Sequence, residues 1–148
     1  MEGAIKMARQ YFLELKPAQP QRRHFISRQE SYHGATLGAL SVGGHRGRRA
    51  LFEPLLIPNT SRVSPCNEYR GRCKTESVKD FVARLADELE MEFQRVGPDN
   101  VCAFIAEPVV GAVSLCLHTF FPLFALHTRM RRRSKQHFDS MPQDPTAG

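Results

Sequence analysis

Val78, Phe81, Val82, Leu85, Leu89, Phe93 and Val96 recur at helical spacing, and after Gly97-Pro98-Asp99-Asn100 the chain becomes an unbroken apolar run, Val101 to Ala106. That juxtaposition constrains the fold more than any other feature. Ser77 is a good N-cap, with Asp80 in the first turn of the helix it begins, and Gly97-Pro98 ends the helix. An all-apolar run of this length directly after a helix predicts a strand buried on both faces, as parallel strands are. Earlier in the chain Met1 to Leu15 reads as a helix with Ile5, Ala8, Phe12 and Leu15 on one face, stopped by Lys16-Pro17. Pro17 to Arg23 is a polar connector and His24 to Ser27 a short strand. Ser31-Tyr32-His33-Gly34 is a turn, and Ala35 to Val42 a short helix that Gly43-Gly44 end with conformations only glycine adopts cheaply. His45 to Arg72 reads as a long irregular segment, a length that calls for a function or a partner. Strand, helix, long loop, helix, strand is α/β order. In such folds ligands gather at the carboxyl ends of the strands, where both Ser31–Gly34 and Glu107 fall.

Length and composition bound the rest. A chain of 148 residues suffices for one domain with a core, and 41% hydrophobic with 24% charged residues is globular rather than disordered. Cys66, Cys73, Cys102 and Cys116 show no CxxC spacing and no paired histidines, so neither a zinc site nor a redox pair is indicated, and they read as reduced intracellular thiols. The net charge is +6, and residues 113–148 contribute +3 of it, from five Lys and Arg against Asp139 and Asp144. Such a run outside any motif reads as a solvated tail rather than a nucleic-acid site. Val113 to Leu126 is too short for a membrane span.

Three segments, Glu2 to Gln10, Ser31 to Leu40 and Phe104 to Val109, resemble in that order the class III pyridoxal-phosphate-dependent aminotransferases. Glu2-Gly3-Ala4-Ile5-Lys6-Met7-Ala8-Arg9-Gln10 resembles the helix after that family's phosphate-binding loop, and Ser31-Tyr32-His33-Gly34-Ala35-Thr36-Leu37-Gly38-Ala39-Leu40 its YHG segment. Phe104-Ile105-Ala106-Glu107-Pro108-Val109 resembles its strand ending in Glu-Pro, with a Glu-Pro-Leu-Leu loop (Glu53 to Leu56) between. The resemblance covers Met1 to about Ala112. It implies part of a fold type I large domain, with an incomplete, mostly parallel sheet and helices. Pyridoxal 5'-phosphate would be the cofactor, an amino donor and a keto acid the substrates, and a homodimer the assembly, with the segment from His45 to Arg72 at its interface. On residue chemistry alone Tyr32 reads as a turn aromatic covering the sheet edge; the resemblance makes it the aromatic face against the pyridine ring. By the same resemblance His33 and Gly34 shape the turn that presents Tyr32, and Glu107 is an acid near the cofactor pocket without an acid–base role.

The chemistry needs a lysine for the Schiff base and an acid opposite the pyridine nitrogen. None of Lys6, Lys16, Lys74, Lys79 and Lys135 lies in the family's lysine context, and the phosphate-binding turn is expected before Met1. This chain is therefore expected to be inactive alone. Residues 113–148 are expected to be an unrelated, disordered tail, read as translated intron beginning at Val113-Ser114. A non-catalytic interaction protein, binding a partner or an anionic membrane through the basic tail, is the alternative. Substrate choice, and cytosol against mitochondrion, stay open.

Overall fold

The computed structural model describes residues 1–108 and 110; the expectations for residues 113–148 lie outside the described residues. Three parallel strands carry the fold: β1 (His24–Arg28), β2 (Thr60–Val63) and β3 (Val101–Ile105), in the order β2-β1-β3. Phe25 to Arg28 pair with Thr60 to Val63, and Phe25 to Ser27 with Ala103 to Ile105, a register shift falling between His24 and Phe25. The helices are α1 (Glu2–Glu14), α2 (Leu37–Val42), α3 (Arg46–Arg49), α4 (Glu68–Gly71) and α5 (Val78–Val96).

Alternation along β1 divides the core into two layers, because successive strand side chains point to opposite faces. Phe25 faces α1, packing with Ile5, Val42 and Cys102 and bordered by Ala8 and Phe12. Ile26 faces α5, packing with Val63, Leu89 and Val101 and bordered by Phe93, Val96 and Phe104. Ile26 and Leu89 are both 0% exposed. Burying a side chain of that size contributes roughly 1.5–3 kcal/mol. The expected amphipathic helix is α5 itself: the Ser77 hydroxyl accepts from the Asp80 amide at 3.1 Å, and Gly97 ends it with φ 87°. Arg22 joins the connector before β1 to the turn before β3, donating to the Pro98 and Val101 carbonyls at 2.8 and 3.0 Å.

Three expectations are corrected. The segment from His45 to Arg72 is not irregular throughout: it contains α3, the edge strand β2 and α4. Strand β2 is Thr-Ser-Arg-Val with only Val63 buried, so it carries no apolar alternation to betray it. Gly43 adopts φ −71°, ψ 154°, open to any residue, and Gly44 has no positive φ either. What Gly44 supplies is closeness: a Cβ there would meet the Arg28 carbonyl oxygen and come 2.8 Å from the Gln29 Cα and the Glu30 nitrogen. Strand β3 is fully buried at Val101 and Cys102 but only partly from Ala103 onward.

Candidate functional site

At the carboxyl ends of β1 and β3 the chain builds a turn held from both sides. From the first side, Glu2 at the start of α1 reaches the start of α2, where its Oε1 accepts from the Gly38 amide at 2.8 Å. The Thr36 hydroxyl and then this amide hold the Glu2 carboxyl below the usual glutamate range. A Cβ at Gly38 would overlap the Glu2 carboxylate and push that side chain aside. From the other side, the Glu107 Oε1 just past β3 accepts from the Tyr32 backbone amide at 2.6 Å. Residues separated by 75 positions are thus joined by a short, charge-assisted bond.

Between these anchors lie Tyr32, His33 and Gly34. Gly34 has φ 129°, a conformation that favours glycine, and a Cβ there would sit 3.0 Å from that of Ala39. Burial pushes the His33 imidazole below its ordinary pKa, opposed by the negative charge of Glu107. Its Nε2 is buried with no hydrogen-bond partner among the described residues. Such an atom is costly unless something absent from the chain meets it. The Tyr32 ring carries the Arg48 guanidinium over one face, 4.5 Å from its centroid. Below the turn, Ser31 donates its hydroxyl to the Arg28 carbonyl at 2.7 Å, and the Gly44 amide donates to the Ser31 carbonyl at 3.0 Å.

Helix α2 is fixed at its far end by two arginines. Buried Arg49 donates from Nη1 to the carbonyls of Leu40, Ser41 and Gly43 at 2.8, 2.7 and 3.1 Å. Arg62, from β2, donates to those of Gly43 and Ser41 at 2.9 and 2.7 Å. Burial first, and the Arg49 charge second, lower the Arg62 pKa. A cleft of about 270 Å³ opens from this turn toward α4, lined by Arg28, Ser31, Cys66, Asn67, Arg70 and Glu107 among others. Burial pushes the Cys66 thiol up, against the pull of Arg28.

All four residues singled out in the sequence, Tyr32, His33, Gly34 and Glu107, therefore meet at one edge of the sheet. Glu2, Arg48, Arg49 and Arg62 were not singled out. Only Glu2 had a signal, as the opening acid of the helix that carried the resemblance.

The class-III aminotransferase family profile matches residues 1–121. This chain belongs to that family. An aminotransferase of Gibberella zeae is 59% identical over 113 residues, 76% of this chain and 22% of the relative. An uncharacterized aminotransferase of Schizosaccharomyces pombe is 47% identical over 116 residues, 78% of this chain and 25% of the relative. Among solved structures, the omega transaminase from Pseudomonas jessenii in complex with PMP superposes with a TM-score of 0.78 at 30% identity, covering 90% of this chain and 29% of that one. The class-III aminotransferase chain described here thus spans about a quarter of the length of the relatives it matches.

Proposed function

We propose that residues 1–108 form one wall of the cofactor site of a pyridoxal-phosphate-dependent transaminase, which moves an amino group between an amine or amino acid and a keto acid. The observation that carries this reading is the pair of contacts Glu2–Gly38 and Glu107–Tyr32, which tie the three family-like segments into one edge. Pyridoxal phosphate, when bound, supplies the aldehyde that takes up the amino group and a ring that withdraws electrons. The residues present fit such a group. Tyr32 offers it an aromatic face, the buried His33 Nε2 an unused polar atom, and Gly34 a turn that a side chain would crowd. One carboxylate oxygen of Glu107 accepts from the Tyr32 amide, so Glu107 positions the aromatic residue. The lysine and the acid that this chemistry needs are not supplied by residues 1–112, and the chain alone does not turn over.

We propose a homodimer for the complete enzyme. Leu51, Phe52, Leu55 and Ile57 are exposed within seven residues, although Arg49–Glu53 and the Ile57 amide to Ser41 Oγ bond hold that segment in place. An ordered apolar patch of this kind marks an interface.

Pyridoxamine phosphate tests the cofactor reading, since without an aldehyde it forms no adventitious lysine imines. Titrated into the 148-residue chain, it should shift the Tyr32 ring protons saturably, and Tyr32→Ala should weaken the binding. No saturable change at Tyr32, or equal binding by Tyr32→Ala, overturns the reading.

A further inference from the structure

Arg48 stands apart from Arg49 and Arg62, the two arginines that fix α2. Arg49 and Arg62 spend their guanidinium donors on backbone carbonyls. The Arg48 side chain is exposed, lies over the Tyr32 ring, and is in none of the ion pairs among the described residues. It is held in place from both ends. Its backbone amide closes the first turn of α3 on His45 Nδ1, and its cationic head is attracted to the π-face of a tyrosine whose own backbone is fixed by Glu107. An exposed guanidinium has planar, forked N–H donors, two of which a carboxylate can accept at once. Exposed Arg46 in the same helical turn adds positive charge and draws an anion toward it.

We propose that Arg48 is a substrate-recognition residue that binds the carboxylate of an amino acid or keto acid at the rim of the site, so that carboxylate-bearing substrates are preferred over plain amines. This rests on the reading of Tyr32 as a cofactor-facing residue. On that reading the heterocycle lies on the face of Tyr32 opposite the guanidinium. A substrate reacting beside that ring then has its carboxylate within reach of a cation already fixed to the same side chain. Inorganic phosphate offers the same oxyanion chemistry, and the test separates the two.

The 148-residue chain, labelled with ¹⁵N and ¹³C, is titrated with β-alanine, propylamine, inorganic phosphate and pyridoxamine phosphate while the Arg48 Nε–H and Tyr32 ring signals are followed. β-Alanine should shift both saturably, and propylamine, of the same chain length, should not. Arg48→Met should weaken the β-alanine response by about tenfold or more, the size of one lost charge-assisted pair, roughly 1.4 kcal/mol. Arg48→Lys keeps the charge without the fork and should fall between the two. The proposal is overturned if propylamine gives the same shifts, if only phosphate does, or if both Arg48 variants bind β-alanine like the parent. If β-alanine behaves as expected but pyridoxamine phosphate leaves Tyr32 unmoved, it is the cofactor reading that fails, and Arg48 stands only as a carboxylate site.

Discussion

Replacing Arg49 and Arg62 by Met, singly and together, interrogates the support under the Tyr32 turn. Methionine keeps much of the apolar stem and removes every donor. In Arg49→Met each carbonyl keeps one partner: Ser41 and Gly43 retain Arg62, and Leu40 still accepts from the Gly43 amide at 3.2 Å. The Glu53 ion pair that is also lost is 60% exposed on its acidic side and contributes little. The single change should therefore cost about 2 kcal/mol, the net worth of a charge-assisted bond or two. Arg62→Met should cost less, because Arg49 continues to serve the same two carbonyls and a repulsive neighbour has gone. Only the double variant strips both guanidiniums from Ser41 and Gly43. It should lose about 2 kcal/mol beyond the sum of the singles, since buried acceptors without partners carry the full desolvation penalty. Urea unfolding followed by far-ultraviolet circular dichroism gives all four free energies. Additivity within about 0.5 kcal/mol would refute the shared-acceptor reasoning.

Three further outcomes follow from the same geometry. Glu107→Ala should destabilise by about 1.5–3 kcal/mol and speed exchange of the Tyr32 amide proton, whereas Glu107→Gln keeps an acceptor and should do less on both counts. Gly44→Ala should cost about 1–3 kcal/mol through its collision with the backbone after β1, while Gly3→Ala, with nothing within 4 Å, should raise the melting temperature. Stability should also fall with acidification in two steps. His24 and His33, both held below the ordinary imidazole pKa chiefly by burial, bind fewer protons folded than unfolded, so stability drops as pH falls through that ordinary value. Glu2, held below the ordinary glutamate pKa, contributes stability present above that value and lost as pH falls through its lower folded one. His24→Gln with His33→Gln should flatten the first step only, in urea midpoints collected against pH.

Much of this architecture was legible in the sequence because it rests on local rules. The Ser77 cap, the α5 stripe and the Gly97 stop are all short-range, and the apolar run of β3 needed no partner to be recognised. Strand β2 was hidden because an edge position filled by Thr60, Ser61 and Arg62 has no buried face to pattern. Gly44 was read through its dihedrals, but what selects it is a contact with the chain sixteen positions earlier. The resemblance singled out Tyr32, His33, Gly34 and Glu107, which the fold brings together. It could not show that Glu107 meets the Tyr32 amide, nor that two arginines share two carbonyls, because neither relation exists until the strands have paired.

The Glu107–Tyr32 bond also sets an order of events during synthesis. Strand β1, at the centre of the sheet, leaves the ribosome first, β2 pairs with it next, and β3 arrives last. The Tyr32 amide has to wait for an acceptor some 75 residues behind it. At typical elongation rates of about 5–20 residues per second, that is several seconds. Through that interval the nascent chain can already hold α2, β1 and β2, yet the aromatic turn stays unpinned. A ribosome stalled ahead of Glu107 should thus display a sheet without its site, open to whichever chaperone or protease reaches the tyrosine first.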